Sequence, residues 1–213
     1  FTDKKNPGIN FTSPGAGVVA EINRGEKRVL QSVVIELDDN EESLNSPKYT
    51  ADQLASLEAD EIRRNMQASG AWTALRTRPF SKVPQADASP VHIYVTAMDS
   101  NPLAADASIV IDERAEDFQT GLMLISKLTT GKVFVCHETG KAIPSSIASN
   151  VVNYDFSGVH PSGLVGTHMH MIEPAGMDRE MWHMNYQDVM ALGSLFTTGR
   201  RCVDRVISLA GPM

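Results

Sequence analysis

The period of the apolar residues changes once along this chain, near Thr50, and no single motif constrains the fold as tightly. Upstream, Phe1 to Leu37 alternates apolar and polar positions between Gly- and Pro-rich breaks: Phe11-Thr-Ser-Pro-Gly-Ala-Gly-Val-Val-Ala-Glu-Ile22, a turn at Asn23 to Gly25, then Val29 and Val33-Val-Ile-Glu-Leu37. Successive side chains of a strand leave on opposite faces, so alternation broken by glycine predicts short antiparallel strands. Asp38 to Asn45 is acidic and polar, with Pro47 behind it. It reads as the linker out of a small β module at residues 1–45.

Downstream the period becomes helical. Thr50 is placed to cap a short helical turn, and Glu58 to Ser69 sets Ala59, Ile62 and Met66 on one face until Gly70 stops it. Val91 to Ala97 is a continuous apolar run of the kind found in strands buried on both faces of a parallel sheet. Phe118, Leu122, Ile125 and Leu128 predict a helix over Asp112 to Thr130. Strands follow at Lys132–His137 and Val151–Phe156, with a short helix opening at Pro144 between them, a helix over Tyr186–Thr198 and a last strand at Val203–Leu209. Alternating strands and helices make residues 46–213 an α/β unit around a mainly parallel, Rossmann-like sheet. Ligands of such sheets bind outside the carboxyl ends of the strands.

Composition removes several function classes. A net charge of -7 over 213 residues argues against broad nucleic-acid binding, which needs a basic surface. No apolar run approaches the roughly 20 residues of a membrane-spanning helix. Cys136 and Cys202 stand alone without any Cys-x-x-Cys, so a zinc ribbon or an iron-sulfur cluster of the usual spacing finds no ligands. Two reduced thiols fit a cytoplasmic setting. The chain opens at Phe1 with no signal-peptide pattern and is expected to be a fragment of a longer protein.

The densest functional signal is the loop Ser69 to Pro84. Trp72 and Phe80 offer flat apolar faces, and Arg76, Arg78 and Lys82 offer donors for carbonyl or phosphate oxygens. A planar, oxygen-bearing ligand suits that combination. Asp99 and Asn101 follow the first long strand and form a second candidate at the mouth of the sheet. His168 and His170 stand two apart, which on an extended segment places both on one face, and His160 could be a third metal ligand. Against a metal, no metalloprotease spacing is present, and hydrogen-bonded structural histidines explain the cluster as well. No Gly-x-Gly-x-x-Gly follows a strand and no Gly-x-Ser-x-Gly elbow occurs, so neither a conventional dinucleotide site nor Ser-His-Asp catalysis is supported.

Several segments together resemble a known family. Asp3–Gly8, Glu21–Gly25, Arg28–Glu36, Arg76–Pro84, Thr96–Ala105, Leu128–Val133, Gly163–His170, Asn185–Val189 and Ser208–Pro212 are similar to the A subunit of the bacterial sodium-translocating NADH:quinone oxidoreductase, over essentially the whole chain. The resemblance implies a β barrel-sandwich (lipoyl-like) module at 1–45 and an α/β domain related to the flavin- and NADH-binding subunit of respiratory complex I. It also implies a peripheral subunit on the cytoplasmic side of the bacterial inner membrane, beside a membrane-embedded neighbour, in a complex that passes electrons from NADH to ubiquinone and pumps sodium. In the complex I relative the loop matching Gly70–Val83 is Gly-rich and cradles flavin phosphate. Here Trp72, Arg76 and Arg78 replace those glycines, so the resemblance implies no flavin or Fe-S cluster on this chain, with flavins, Fe-S and NADH on other subunits. The family's quinone contact corresponds to Leu75–Lys82, which adds Leu75 to the set above.

Two alternatives come from other classes. Phe1-Thr-Asp-Lys4-Lys followed by Ser13-Pro-Gly-Ala-Gly-Val18 resembles the lysine hairpin of lipoyl carrier domains. His160, His168 and His170 would be the ligands of a zinc-dependent hydrolase.

Overall fold

The computed structural model describes residues 1–39 and 42–211; Asn40 and Glu41 of the expected linker, and Pro212 and Met213, lie outside the described residues. Upstream of the linker stand two antiparallel ribbons, β1 (Thr2–Asp3) with β2 (Asn6–Asn10) and β3 (Gly17–Arg24) with β4 (Leu30–Leu37). The first is docked on the rest of the chain. Ile9 is fully buried, and the Asn6 side-chain amide donates to the Pro84 carbonyl at 2.8 Å. The second is bare: every residue of β3 is exposed, with Val18, Val19 and Ile22 at 65%, 52% and 56%.

The remaining elements run α1 (Ala51–Ser56), α2 (Ala59–Ser69), β5 (Arg76–Arg78), β6 (Ile93–Ala97), α3 (Ala107–Asp112), α4 (Ala115–Ser126), β7 (Val133–Glu138), β8 (Val151–Phe156), α5 (Val165–Ile172), β9 (Met181–Asn185) and α6 (Tyr186–Thr198). The sheet order is β5-β9-β6-β7-β8; only the edge strand β5 is antiparallel to its neighbour. Thr50 and Gln53 form a reciprocal capping box on α1, and Gly70 closes α2 with φ at 79°, a left-handed conformation natural to glycine. The Lys127 ammonium donates to the carbonyls of Leu54, Ala55 and Leu57 at 3.2, 2.7 and 2.8 Å, satisfying the end of α1.

One sheet face carries Ile93, Val95, Val133, Val135, Trp182 and Met184 into a core with Ile62 and Met66 of α2, Phe118, Leu122 and Ile125 of α4, and Val189, Leu192 and Phe196 of α6. The other face carries Tyr94, Phe134, Cys136 and Met181 against Val165 and Met169 of α5. α4 and α6 touch through their main chains: a Cβ on Gly193 would lie 1.9 Å from the Asp117 carbonyl oxygen, and one on Gly121 2.1 Å from that of Val189.

Four expectations from the sequence are corrected. The helix expected over Asp112–Thr130 is α4 alone, trimmed to Ala115–Ser126, and the separate helix α3 before it was not expected; Arg114 stands between the two, its guanidinium paired with Asp117 at 2.7 Å. Pro144–Ser149 is not helical; the Ala148 N–H bonds to Ser146 Oγ at 3.2 Å and the Ser145 carbonyl accepts from Gln119 at 3.1 Å, local and side-chain bonds that compete with a helical turn. Val203–Leu209 forms no strand and instead runs as a strap without regular secondary structure. The segment with His168 and His170 is helical, not extended. A step of two residues on a helix turns by about 200°, so His168 is fully buried while His170 is exposed. β5 and β9 are strands that the alternation did not predict.

Two outcomes follow from this packing. Gly193→Ala forces a methyl group into main-chain atoms that cannot yield, so unfolding of the full-length chain should lose about 2–3 kcal/mol, a fall of several degrees in Tm. His168, tilted against Phe156 with ring centres 4.3 Å apart and bonded to the Ser162 carbonyl at 2.8 Å, is pushed down from 6.5 to about 4 by burial. The unfolded chain then binds the extra proton first, so stability is complete above about pH 6.5 and falls as pH drops towards 4. Urea midpoints at pH 7.5 and 4.5 should show His168→Asn losing less on acidification than the parent chain.

Candidate functional site

The loops at the carboxyl ends of β6 and β9, the start of α5 and the entry to β5 enclose a cleft of about 550 Å³. Its position follows from the strand order. β9 lies between β5 and β6, and because β5 runs opposite to both, its first residue, Arg76, comes to the carboxyl end of its neighbours. Arg76 pairs in register with His183, and both side chains therefore share the sheet face of α5. The guanidinium folds back on its own turn, with Nη1 donating to the carbonyls of Thr73 and Leu75.

The opposite wall is the loop after β6. Asp99 Oδ1 accepts from the Asn101 main-chain N–H at 2.9 Å and from its side-chain amide at 2.7 Å, a local turn that fixes the carboxylate plane. Ser100 Oγ accepts from the Gly163 N–H at 2.8 Å and lies 3.2 Å from His160 Nδ1, which ties this loop to the one before α5. A Cβ on Gly163 would sit 2.6 Å from the Ser100 nitrogen, so that glycine permits the approach; a Cβ on Gly166 would meet no neighbouring element within 4 Å, so no close approach requires that glycine. Asn185 caps α6 by accepting from the Gln187 N–H at 2.9 Å. Met98, Leu164 and Val165 supply apolar lining.

The strap crosses beside this site. Val206 N–H donates to Gln187 Oε1 at 2.9 Å while Gln187 Nε2 donates to the Val206 carbonyl at 3.0 Å. Arg205 pairs with Asp188 at 2.7 Å, and Arg201 donates to Thr12 Oγ1 and the Ser69 carbonyl, joining the docked ribbon to the end of α2. His183 is driven down to about 4 by burial first and by Arg78 and Arg76 second, so its ring is neutral at physiological pH. Burial, with repulsion from Arg205, lowers Arg201.

The residues singled out in the sequence divide three ways. Arg76, Asp99 and Asn101 line the cleft together. Trp72 and Leu75 are fully buried, and Trp72 packs edge-on against Trp182 at 5.3 Å with its N–H on the Pro84 carbonyl at 3.0 Å, so neither presents a face to a ligand here. Phe80 is 56% exposed, with the Lys82 ammonium 5.5 Å from its ring centre, outside the cleft lining. Arg78 is half-buried, and its Nε lacks a partner among the described residues. His168 belongs to the core and His170 to the surface, which removes the geometric basis for a zinc site; among the described residues no group of three or more His, Cys, Asp or Glu is placed to hold a metal ion. Lys4 is exposed in the turn of the first ribbon. Thr73, Ala74, Thr96, His183, Asn185, Asp188 and Arg201 also line the cleft; of these, His183 and Asn185 escaped notice because β9 was not recognised. No helix among the described residues is long and apolar enough to cross a membrane.

Comparison with known proteins bears on both parts of the chain. The family model described as NqrA second alpha/beta domain matches residues 57–201, and that described as NqrA N-terminal barrel-sandwich hybrid domain matches residues 1–38. A relative from Neisseria gonorrhoeae (strain NCCP11945) is 54% identical over 211 residues, covering 99% of this chain and 47% of its own length. Relatives from Pseudomonas aeruginosa (strain UCBPP-PA14) and Pasteurella multocida (strain Pm70) are 54% and 53% identical over 213 and 212 residues, again with 47% of each relative covered. The chain thus spans about half the length of the curated relatives it matches. All three are named as the A subunit of the Na(+)-translocating NADH-quinone reductase. With matched models over both parts and this level of identity, the chain belongs to the NqrA family.

Proposed function

We propose that this chain is part of a peripheral subunit of a sodium-translocating NADH-quinone reductase and that its cleft receives the quinone head group or shapes its access. The observation that carries the reading is the meeting of Arg76, the first residue of β5, with Asp99 and Asn101 of the loop after β6, in one cleft at the carboxyl edge of the sheet. Arg76 supplies charged donors for a ligand oxygen, and Met98, Leu164 and Val165 supply the apolar surface that a ring needs. Phe80 and Lys82, on the solvent side of the same loop, are then the groups met by a ligand tail or a neighbouring subunit.

In this reading the chain holds neither a flavin nor an Fe-S cluster of its own, and flavins, clusters and NADH reside on other subunits, including a membrane-embedded neighbour at the cytoplasmic side of the inner membrane. Two observations support it. Trp72 fills the core beneath the loop, and the N–H groups of Thr73, Leu75 and Thr77 are already bonded to the carbonyls of Gly70, Trp72 and Lys82 at 3.2, 3.1 and 2.7 Å, so these amides are not free to cradle a phosphate. The kinship of the α/β unit to the flavin-binding subunit of complex I is part of the same proposal; a five-stranded sheet with three parallel pairs is consistent with it.

The test uses the protein at full length. A short-chain ubiquinone should bind saturably by calorimetry or ligand-observed NMR, and Arg76→Gln should weaken it about tenfold, the worth of a charge-assisted hydrogen bond. Absence of saturable binding, or unchanged affinity in a variant with the parent's circular dichroism, rejects the cleft as the quinone site.

A further inference from the structure

We infer that the cleft selects the reduced, dihydroxy form of its ring ligand, and that Asp99 makes the selection. This rests on the quinone reading above and deepens it. The two walls offer opposite chemistry. Arg76 has donors only, whereas the Asp99 carboxylate has acceptors only. Neither takes part in an ion pair among the described residues. The other carboxylate of the lining, Asp188, is occupied by Arg205 at 2.7 Å. Both hydrogen bonds to Asp99 fall on Oδ1, at 2.9 and 2.7 Å from Asn101, so the plane is fixed and Oδ2 is the oxygen left for a ligand.

Dimensions agree with the chemistry. The order β5-β9-β6 puts two strand spacings of about 4.8 Å between the elements that carry Arg76 and the Asp99 loop, a lateral separation of about 10 Å. The guanidinium is held on the carbonyls of Thr73 and Leu75, and Arg76 and Asp99 line the same cleft. A six-membered ring with para oxygens, plus a hydrogen bond of about 2.8 Å at each end, spans about 11 Å. A ligand that reaches both walls therefore presents one oxygen to Arg76 and the other to Asp99. A carbonyl oxygen there sets lone pairs against lone pairs, while a hydroxyl donates to the carboxylate. Charge-assisted O–H···O⁻ bonds are among the stronger neutral-to-ion contacts, and one such bond corresponds to about a tenfold or greater preference.

The experiment compares a short-chain ubiquinol, held reduced under anaerobic conditions, with its quinone on the full-length protein. The ubiquinol should bind at least about tenfold tighter. Asp99→Asn, whose amide donates as well as accepts, should weaken the ubiquinol and strengthen the quinone, bringing the ratio near one. Asp99→Ser, which also favours the local turn, predicts the same loss of preference should the first variant fold poorly. Equal affinities in the parent chain, or a ratio untouched by both variants, overturn the selection by Asp99. If that happens while Arg76→Gln still weakens binding, only this inference falls; no saturable binding of either form rejects it together with the quinone site.

Discussion

The edge-on contact of Trp72 with Trp182 is the joint on which the sheet edge is built. Trp182 lies within β9, and Trp72 stands in the turn that leads into β5. Two indoles 5.3 Å apart at 81°, both fully buried, remove a large apolar surface from water and leave little freedom of rotation. The Arg63 guanidinium lies 5.6 and 6.0 Å from the two rings and donates to the Ala88 carbonyl, Ser89 Oγ and the Leu128 carbonyl at 2.6, 2.8 and 3.3 Å. One cation thus caps both aromatics and holds two loops at the amino end of the sheet. With that joint in place β5 must run antiparallel along β9, and Arg76 is delivered to the carboxyl edge. The loop's aromatic residue thus acts on the cleft from the core, by positioning the strand that carries Arg76.

At the carboxyl edge the constraint changes from packing to hydrogen bonding. Each wall of the cleft is fastened by contacts between distant parts of the chain: Ser100 to Gly163, Arg201 to Thr12 and Ser69, Gln187 to Val206, Arg205 to Asp188. Loops held in this way can present polar groups without the side-chain entropy that a free surface loop would lose on binding. The cost is a set of polar atoms with no internal partner among the described residues, including His183 Nε2 beside the cleft and Arg78 Nε next to it. Unpaired groups in such a place mark a region shaped for something other than stability.

Much of the architecture was legible in the sequence for a physical reason. Thr50, Gly70, Gly199 and the runs at Val91 and Lys132 announce ends and strands through local chemistry, and each stands where the local rule places it. What escaped was set by tertiary contacts. β5 has three residues, and its alternation of Arg76, Thr77 and Arg78 buries only the threonine, because the arginines face a half-covered sheet side. β9 mixes Trp182 and His183 in a pattern that neither a buried nor an exposed strand would show. The strap resembles a strand because Val203, Val206, Ile207 and Leu209 crowd into seven residues, yet the Gln187 side chain takes both main-chain bonds of Val206 that a neighbouring strand would have offered, and Asp188 holds Arg205. Of the candidate site, Arg76, Asp99 and Asn101 were readable, whereas Arg78 and Lys82 lie outside the lining, Asp188 and Arg201 escaped, and Trp72 proved to be core, since composition alone does not tell a tryptophan that meets a ligand from one that fills a core.

The bare ribbon of β3 and β4 has a consequence beyond the fold. Val18, Val19, Ile22, Val34 and Leu37 line two strands that contact little besides each other, with both outer edges carrying open main-chain donors and acceptors. Such a surface is a template on which another extended chain can add by continuing the ladder. Concentrated solutions of this stretch of polypeptide will therefore begin to self-associate there, in preference to the α/β sheet, whose longer edge at β8 is broken by the polar Asn153 and Asp155.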